Sequence, residues 1–323
     1  MVLVTGGSGH IGTHLVPALL AQGRRVRALV HSSRGTLARH DIDLVEGDVR
    51  DPESLRRAME GVGVVHHLAA KISIVGDPDG SVQAINVQGP ANVAQAALQA
   101  GVRRFVHYSS CHAFDINAPA ERVDETCARP GPAHPAYDRS KAAGEERIRA
   151  AIERGLDAVI VNPCGVIGPD DPEPSRAGRM LLDLATGELP SLVEGGFNWV
   201  DVRDVVAGAL AAEERGRTGE NYLLSGHWAS AAMLADLVHA CGGQPPPWFN
   251  SPMWLARFGA PFVEVFSSLV GVEPLYTSEA LHALRAMPEL SWDKAHAELG
   301  YTPRSTEESV RDALASFREQ GRL

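Results

Sequence analysis

Tyr137 and Lys141 are two side chains that could move a proton, and they lie four residues apart. Residues at this spacing share one face of a helix. A free phenol has a pKa of about 10 and is a poor acid or base at neutral pH. A lysine cation one turn away stabilises the phenolate and lowers that pKa, and it can also hydrogen-bond the ribose of a dinucleotide. The pair is therefore a candidate proton donor, although a tyrosine and a lysine on a solvated helix can have the same spacing.

Ser109 and Ser110 could complete such a site, because they lie at the carboxyl end of the predicted strand at residues 104–109. Ligands of open α/β sheets bind outside the carboxyl ends of the strands. A hydroxyl there could hold a substrate oxygen beside the phenol, but a serine that caps a turn is an equally good interpretation. Nothing in the sequence pairs the nearby histidines with a second catalytic group. The histidines that we therefore interpret as structural are His66, His67, His107 and His112.

A glycine-rich segment at the start of the chain predicts a dinucleotide site. The apolar residues 1–4 are followed by Thr5-Gly-Gly-Ser-Gly-His-Ile-Gly12 and then by apolar residues at helical spacing. In this strand–turn–helix context Gly6 permits the tight turn, Gly9 lets a pyrophosphate approach the backbone, and Gly12 lets the helix pack close on the strand. The N–H groups and positive dipole end of the helix N-terminus favour the phosphates.

Strands alternate with helices through the first half of the chain. Strands are predicted at residues 25–30, 43–46, 62–68, 104–109 and 157–162, and helices at residues 52–60, 81–100 and 136–154. Gly89-Pro90 is expected to bend the helix at residues 81–100. This alternation predicts an α/β fold with a doubly wound parallel sheet.

The pattern changes after Pro163. Residues 168–176 contain three prolines and are predicted to form a loop. Beyond it we predict helices at residues 175–187 and 201–215, a strand at 221–224, and helices at about 230–241, 251–270, 276–286, 293–299 and 306–320. The predicted organisation is a dinucleotide-binding domain over residues 1–165, rejoined by 196–225, with a smaller, mainly helical substrate-binding region at 166–195 and 226–323.

Composition excludes several classes of partner. The 323 residues carry a net charge of −10, which argues against binding to nucleic acid and to anionic membrane surfaces. The four cysteines are far apart in the sequence, which predicts a reduced, cytoplasmic setting. No zinc-binding spacing occurs among the cysteines and histidines, so no metal is predicted. The apolar residues 251–271 include Arg257, Pro261 and Glu264, so we predict no integral membrane segment.

Together these motifs resemble the extended short-chain dehydrogenases/reductases of the NAD-dependent epimerase/dehydratase superfamily. The motifs are Thr5–Gly12, Asp48, His67-Leu-Ala-Ala70, Asn86, Ser109-Ser110, Tyr137-x-x-x-Lys141 and Asn162-Pro163. The segments most similar to the dihydroflavonol-reductase and 3β-hydroxysteroid-dehydrogenase group are Val161–Pro169, Trp199–Val205, Glu220–Gly226 and Leu299–Pro303. The resemblance covers nearly the whole chain and implies a Rossmann fold, a nicotinamide cofactor and a small-molecule substrate.

The resemblance also implies roles for individual residues. Tyr137 would be the general acid that protonates a carbonyl oxygen as hydride arrives, and Lys141 would lower its pKa and hold the nicotinamide ribose. Ser110 would orient the carbonyl, with Ser109 as the alternative. The implied cofactor contacts are the loop residues Gly6, Gly9, His10, Ile11 and Gly12, the adenine neighbours Asp48 and Val49, the path residues Leu68, Ala69, Ala70 and Lys71, and Pro163 to Val166 beside the nicotinamide.

The second strand suggests which dinucleotide is preferred. NAD-specific folds place an acid at its end to bind the ribose 2′-OH. Here the strand ends at Val30 and is followed by His31-Ser32-Ser33-Arg34, with no acid. Hydroxyl groups and Arg34 suit a 2′-phosphate, and reductase relatives often carry Arg at the position of His31. The sequence therefore predicts NADP(H) in preference to NAD(H).

Three alternative functions compete with a reductase. In the family's dehydratases an Asp-Glu pair follows the catalytic Ser/Thr, whereas Cys111 and His112 follow here. Nucleotide-sugar epimerases usually place an Arg just before the Trp199-Val200 position, where Phe197-Asn198 stands, although Asn162 matches an Asn that some epimerases use on the diphosphate. A non-catalytic cofactor-sensing regulator typically loses the Tyr or the Lys, and this chain keeps both.

Two apolar features predict the assembly and the substrate. Residues 81–100 include no charged residue, so their helix is buried on more than one side. Family dimers pair this helix with the Tyr137 helix, so we expect a homodimer; burial within a monomer is the alternative.

Large apolar side chains, mostly aromatic, are concentrated in a later segment: Trp248, Phe249, Met253, Trp254, Phe258, Phe262 and Phe266. Core packing explains most of them, but in relatives this region roofs the cleft, which favours aromatic, polyketide-like, terpenoid or steroid-like carbonyl compounds.

Overall fold

A computed structural model describes residues 1–31, 34–116, 122–189, 191–251 and 288–323. Its strands are β1 (Val2–Thr5), β2 (Val26–Val30), β3 (Asp43–Glu46), β4 (Val64–His67), β5 (Arg104–Tyr108), β6 (Arg122–Val123), β7 (Ala158–Pro163), β8 (Gly165–Ile167), β9 (Leu192–Val193), β10 (Gly196–Asp201), β11 (Asn221–Leu224), β12 (His227–Ser230), β13 (Asn250–Ser251) and β14 (Glu289–Leu290).

The helices alternate with these strands in the first half of the chain. They are α1 (His10–Ala21), α2 (Pro52–Ala58), α3 (Ser81–Gln83, Ala84–Gln88 and Gly89–Gln99), α4 (Ala136–Ile152), α5 (Arg176–Thr186), α6 (Val202–Arg215), α7 (Ala231–Ala240), α8 (Asp293–Leu299) and α9 (Thr306–Glu319). None of the helices in these described ranges is long and apolar enough to cross a membrane.

Seven parallel strands form the main sheet, in the order β3-β2-β1-β4-β5-β7-β11. The order reverses between β1 and β4, and the glycine-rich segment leaves β1 at this switch point. One face buries apolar side chains against α1 and α6, and the other buries them against α2, α3 and α4. The predicted α/β fold with a doubly wound parallel sheet is therefore confirmed.

Helix α3 differs from the predicted helix, which was expected to bend at Gly89-Pro90. A π-helical turn at Ala84–Gln88 comes immediately before Gly89 and Pro90, so the irregularity starts earlier than the expected bend. Gly144 of α4 lies against this turn, because a Cβ there would be only 2.4 Å from the Asn86 carbonyl oxygen. The Asn86 amide also donates to the Ser140 hydroxyl at 3.0 Å. These contacts fix the helix that carries Tyr137 and Lys141 against its neighbour.

A second sheet, formed by β12, β10 and β8, was missed by the sequence analysis. Its strands have only three to six residues, so their periodicity is weak. The sheet shares an apolar core with α5, α7 and α9. The helices predicted at residues 276–286 and over almost all of 251–270 lie outside the described residues, whereas Ser251 itself is in β13.

Candidate active site

A cavity of about 520 Å³ opens beyond the carboxyl ends of the central strands. Most of the residues that sequence analysis proposed for the site line it: Gly6, Gly9, His10, Ile11, Gly12, Leu68, Ala70, Ser109, Ser110, Tyr137, Lys141, Pro163 and Val166. The fold thus brings together the glycine-rich loop, the end of β5 and one end of α4.

The three glycines of the loop have different physical roles. Gly6 has a φ of +71°, and a Cβ there would lie 2.6 Å from the Ala69 backbone nitrogen. A Cβ at Gly12 would lie 2.4 Å from the Gly7 carbonyl oxygen, so the close contact is with the loop and not with the strand that we expected. Beside Gly9, by contrast, the nearest atom to an added Cβ is 3.5 Å away. Of these three glycines, only Gly9 could carry a Cβ without a close contact.

Helix α1 begins at this loop, and no side chain caps it at Gly9. His10 and His14 each donate from Nε2 to the Pro169 carbonyl oxygen, at 2.9 and 3.0 Å. The two histidines thereby join the start of α1 to the loop that follows β8. The first turn of the helix lines the cavity, and no capping side chain accepts hydrogen bonds from its backbone N–H groups.

Tyr137, Ser110 and Lys141 converge on one wall of the cavity. The Ser110 hydroxyl is near enough to the Tyr137 phenol to lower its pKa, and Lys141 Nζ donates to the Tyr108 carbonyl oxygen at 3.1 Å. Ser109 Oγ is buried and has no hydrogen-bond partner among the described residues. A hydroxyl pair and an ammonium group can hold an oxygen atom that gains charge.

The pKa values correct one expectation. Burial raises the pKa of Tyr137 above its usual value, and the hydrogen bond to Ser110 opposes this only in part. Burial lowers the pKa of Lys141 to about 8, against the opposing effect of Glu145. The predicted lowering of the pKa of the phenol by the lysine is therefore not the net effect in this structure, where desolvation is the larger influence.

A buried polar network holds Ser110 from behind. Asn162, which is fully buried, donates from Nδ2 to the Ser110 carbonyl oxygen at 2.9 Å and to Glu145 at 2.7 Å. Asn221 donates to the other Glu145 oxygen at 2.9 Å, and Arg129 pairs with the same carboxylate at 2.9 Å. These bonds occupy the Asn162 amide, so the comparison with epimerases that use this Asn on a diphosphate is not supported.

Asn198 stands just before Trp199, where nucleotide-sugar epimerases usually have an Arg. Its side chain is also turned inward. Its Nδ2 donates to the Pro288 carbonyl oxygen at 2.8 Å, and its Oδ1 accepts from the Leu290 backbone at 3.0 Å. Phe197 lines the cavity instead. Neither Phe197 nor Asn198 therefore offers a cation to a diphosphate at this position.

The residues proposed for the adenosine end lie away from the cavity wall. His31 Nε2 is 3.2 Å from Asp48, which also accepts a hydrogen bond from Arg50. Hydrogen bonding to Arg50 lowers the pKa of Asp48. Arg34 pairs with Glu46 at 3.3 Å. Acidic partners therefore accompany both basic groups, and Ser32 lies outside the described residues.

Three more residues that were proposed to contact the cofactor, Val49, Lys71 and Ala69, do not line the cavity. The Val49 side chain is buried in the core on the α2–α4 face and packs 3.1 Å from where a Cβ of Gly89 would be. The Lys71 ammonium is 3.4 Å from Asp79 and also hydrogen-bonds Ser81. Ala69 donates its backbone N–H to the Thr5 hydroxyl at 3.3 Å. None of the three lines the cavity, unlike Leu68 and Ala70.

His112 corrects the interpretation of the histidines. Its Nδ1 donates to Asp138 at 3.0 Å, and its ring meets the Tyr137 ring edge-on at 5.7 Å between centroids. Both His112 and Asp138 line the cavity. Sequence reasoning missed the pair because 26 residues separate them. The sequence offered one signal for the pair: Asp138 comes directly after Tyr137, and His112 comes two residues after Ser110.

The remaining histidines are held within the fold. His66 accepts from the Tyr108 hydroxyl at 3.0 Å and donates to Glu213 at 2.9 Å. His67 hydrogen-bonds the Thr5 hydroxyl at 2.7 Å and stacks on His107. Burial lowers the pKa of all three histidines, so they are neutral structural groups at pH 7.

Much of the rest of the cavity wall is apolar. Sequence reasoning did not identify its apolar contributors Ile72, Ile74, Pro135 and Met180. Trp199 adds a second large ring beside Phe197, at 5.5 Å between centroids. In the predicted aromatic segment, Trp248 is 94% exposed and contacts Phe249. Met253, Trp254, Phe258, Phe262 and Phe266 lie outside the described residues.

Comparison with known proteins agrees with this architecture. A family model described as the NAD dependent epimerase/dehydratase family matches residues 2–225. Sterol demethylase protein B of Methylococcus capsulatus is 35% identical, with 99% of this chain and 99% of the relative covered. A putative dihydroflavonol 4-reductase of Synechocystis sp. is 34% identical, with 98% and 94% covered. A solved nucleoside-diphosphate-sugar epimerase from Pseudomonas aeruginosa has a TM-score of 0.80 at 26% identity, with 100% of this chain and 98% of that chain covered.

Proposed function

The chain belongs to the NAD dependent epimerase/dehydratase family, in its dihydroflavonol-reductase and 3β-hydroxysteroid-dehydrogenase-like group, and on that premise we propose that it is a carbonyl reductase. It reduces a ketone or aldehyde of a small, largely apolar molecule, or oxidises the matching alcohol. The observation that supports this reaction best is the convergence of Tyr137, Ser110 and Lys141 at the wall of one cavity that also includes the glycine-rich loop.

The loop residues fit a nicotinamide dinucleotide. Gly9 is exposed and has no side chain to keep a phosphate group from its backbone, and α1 begins there without a capping side chain. His10, Ile11 and Gly12 would hold the pyrophosphate through the first turn, and Lys141 would hold the ribose. A bound dinucleotide would supply the hydride.

Tyr137 is the proton donor in this proposal. Because burial raises the pKa of its phenol, the group is protonated at neutral pH and can give its proton to a carbonyl oxygen. Ser110 would orient that oxygen and stabilise it as charge develops. The positive charge of Lys141, one helical turn away, would stabilise the phenolate that remains.

The substrate-binding region would comprise residues 166–195 and 226–323, as the sequence predicts. Ala177 and Met180 of α5 line the cavity opposite the sheet, and Phe197 and Trp199 come from β10. Pockets lined in this way bind apolar molecules with few polar anchors. We therefore propose an aromatic, polyketide-like, terpenoid or steroid-like carbonyl compound as the substrate.

We further propose a preference for NADP(H). Its support is the lack of an acid immediately after β2 and the nearness of His31 and Arg34 to that strand end. Both groups have acidic neighbours, so a 2′-phosphate would have to compete with Asp48 and Glu46. A lower KM for NADPH than for NADH, and loss of that difference in Arg34→Ala, are the expected results.

A homodimer is also proposed, with α3 and α4 at the interface. The two helices pack side by side, and α3 includes no charged residue among its partly exposed positions. Light scattering at micromolar concentration should give twice the 34.5 kDa of one chain. A single 34.5 kDa species would contradict the dimer.

The cytoplasmic location of the protein stays a prediction.

An epimerase acting on nucleotide-linked sugars is the second candidate. Arg176 and Arg179 of α5 line the cavity, and two cations could neutralise a diphosphate. The structural similarity to a nucleoside-diphosphate-sugar epimerase favours the same idea. The inward-turned Asn162 and Asn198 weigh against it.

One screen separates the two candidates. NADPH and NADH consumption is measured against aryl and alkyl ketones, aldehydes, quinones and UDP-sugars. Consumption of reduced cofactor with apolar ketones, and no change in UDP-sugars, is the expected result. Conversion of a UDP-sugar without net consumption of cofactor would favour the epimerase and contradict the reductase.

A further inference from the structure

Two cysteines lie close together at the wall of the cavity, although they are far apart in the sequence. Cys111 begins the turn after β5 and is only 1% exposed, whereas Cys164 connects β7 to β8 and lines the cavity. Cys111 belongs to a small apolar cluster with Phe114 and Leu223, and Cys164 packs against this cluster. All four cysteines of the chain are free thiols. A small molecule in the cavity therefore meets Cys164 first, with Cys111 behind it.

The register of the main sheet places these two cysteines side by side. Tyr108 of β5 is paired with Val161 of β7, and each cysteine comes three residues after its own member of this pair. Beyond the paired residues, Asn162 Nδ2 donates to the Ser110 carbonyl oxygen at 2.9 Å, and the turn at Cys111–Ala113 contacts β7. Adjacent strands lie about 4.8 Å apart, and a disulfide joins residues whose Cα atoms are about 4.4–6.8 Å apart. The register therefore indicates a separation that a disulfide can bridge.

The two thiols differ in how readily they ionise. The Cys164 thiol, His112 and Ser110 lower the pKa of Cys111 to about 7, against the opposing effect of burial. Burial raises the pKa of Cys164. Near pH 7 about half of the Cys111 side chains are therefore thiolate, while Cys164 keeps its proton. Oxidation-sensitive sites in proteins combine a thiolate of this kind with a second cysteine that completes a disulfide.

We infer that Cys111 and Cys164 are a site of reversible oxidation, at which hydrogen peroxide converts the two thiols into a disulfide and a dithiol restores them. Disulfides in cytoplasmic proteins are usually transient and redox-sensing, so such a site is compatible with the reduced setting that the sequence predicts. The peroxide molecule is small enough to reach Cys164 through the cavity that the substrate would use.

The reaction balances with hydrogen peroxide as the only oxidant. The Cys111 thiolate takes the proton of Cys164, and the Cys164 sulfur attacks one peroxide oxygen from the cavity side. The O–O bond breaks and an S–O bond forms, which gives a sulfenic acid on Cys164 and a hydroxide ion. This hydroxide takes the proton back from Cys111 and becomes water, and the Cys111 thiolate attacks the Cys164 sulfur. The S–S bond forms, the S–O bond breaks and a second hydroxide leaves, so the two sulfurs lose the two electrons that the peroxide gains.

The disulfide should also stop the proposed reductase. Its two sulfur atoms are only about 2 Å apart, so closing the bond draws Cys111 towards Cys164. Ser110 directly precedes Cys111, and its hydroxyl accepts a hydrogen bond from the His112 backbone N–H at 3.2 Å within the same turn. The cross-link therefore displaces the Ser110 hydroxyl relative to Tyr137. This effect on turnover rests on the proposed carbonyl reduction, whereas the oxidation itself does not.

The first measurement follows the disulfide by mass and needs no substrate. Reduced protein is treated with hydrogen peroxide, blocked with iodoacetamide and digested with trypsin without reductant. Cys111, Cys127 and Cys164 fall on separate tryptic peptides, which are residues 105–122, 123–139 and 155–176. Wild type should yield a cross-link between the first and third peptides, lighter than their sum by two hydrogen atoms. Dithiothreitol should release it.

The second measurement compares turnover before and after oxidation, with a carbonyl substrate found in the screen. In wild type kcat should fall by about a hundredfold, the scale of a misplaced catalytic group, and dithiothreitol should restore it. Cys111→Ala and Cys164→Ala should form no cross-link at the site, and peroxide should leave their kcat unchanged. The double variant Cys127→Ser/Cys241→Ser is the matched control, since it keeps only the two proposed cysteines. It should respond to peroxide and to dithiothreitol as wild type does.

The outcomes separate the inference from the proposed function. Absence of the cross-link in both wild type and the double variant would overturn the oxidation site, and so would a cross-link that uses Cys127 in place of either cysteine. A complete cross-link with unchanged kcat would overturn the effect on Ser110 and leave the reductase intact. If no carbonyl compound is reduced, the proposed function fails, while the cross-link still decides whether the oxidation site exists.

Discussion

Alanine substitutions at Gly6 and Gly9 should affect different properties, although the two positions are three residues apart in one loop. Gly6→Ala should lower the stability of the fold, and Gly9→Ala should lower the affinity for the cofactor. At Gly6 the backbone has a φ of +71°, and an added Cβ would lie 2.6 to 2.9 Å from backbone atoms of Leu68 and Ala69. At Gly9 the backbone is extended, with φ −77° and ψ 171°, and the nearest atom to an added Cβ is 3.5 Å away. The first change strains the protein itself, whereas the second fills space that a ligand would use.

The free energy of unfolding should fall for Gly6→Ala by two separable contributions. A left-handed conformation costs a residue with a Cβ roughly 1–2 kcal/mol. Overpacking against atoms that cannot move freely costs roughly 1–3 kcal/mol more. With about 2.1 cal/mol/K of unfolding entropy per residue, the sum of about 2–5 kcal/mol corresponds to a drop in Tm of roughly 3–7 °C for a chain of 323 residues. For Gly9→Ala neither contribution applies, and the weaker N-cap changes stability by about 1 kcal/mol or less.

Two measurements on each variant test these values. Thermal unfolding without cofactor reports the strain, and calorimetric titration with NADPH reports the affinity. Gly9→Ala should unfold within about 2 °C of wild type. Its Kd for NADPH should rise by at least about tenfold, which is a loss of about 1.4 kcal/mol. Gly6→Ala should unfold well below both.

Wild-type affinity in Gly9→Ala would show that the phosphates do not approach this backbone, and the proposed cofactor position would be wrong. Wild-type Tm in Gly6→Ala would contradict the strain argument, because it would require the contact with Ala69 to relax at no cost. Equal loss of stability in both variants would contradict the distinction between them.

Two further predictions concern stability. Burial would raise the pKa of Glu213, but hydrogen bonds from His66 and Arg24 lower it to about 2. The stability that Glu213 contributes is therefore present above its ordinary pKa of 4.5 and is lost as the pH falls from 4.5 towards 2. In urea unfolding, the difference in free energy of unfolding between wild type and Glu213→Gln should shrink over that pH range, and a constant difference would contradict the argument. Asn162→Ala removes the donor to Glu145 and to the Ser110 carbonyl, so unfolding in urea should show a loss of about 2–4 kcal/mol and kcat should fall, while wild-type values would contradict the positioning network.

Local pattern was sufficient to predict the elements that carry the site. The helix with Tyr137 and Lys141 has an apolar periodicity that any amphipathic helix shows, and β1 is a short apolar run directly before a glycine-rich turn. The order of strands follows from their alternation with helices. These features depend on neighbouring residues, which a sequence displays directly.

Features that depend on pairing across the fold could not be predicted in the same way. Strands β8, β10 and β12 are short, and their partners come from distant parts of the chain. The His112–Asp138 pair exists because the turn after β5 packs on α4. The pKa of Tyr137 has the opposite direction to our expectation because the depth of its burial is a property of the folded chain.

Replacement of Tyr137 by Phe tests the central claim most directly. The variant loses one hydroxyl, which is the proposed proton donor, and leaves the loop at Gly9 unchanged. With a carbonyl substrate found in the screen, kcat should fall by at least about a hundredfold, the scale of a lost general acid. The Kd for NADPH, measured by calorimetry, should stay within about threefold of wild type, a difference of less than 1.4 kcal/mol. Turnover close to wild type in a variant that binds NADPH normally would contradict the proposed mechanism.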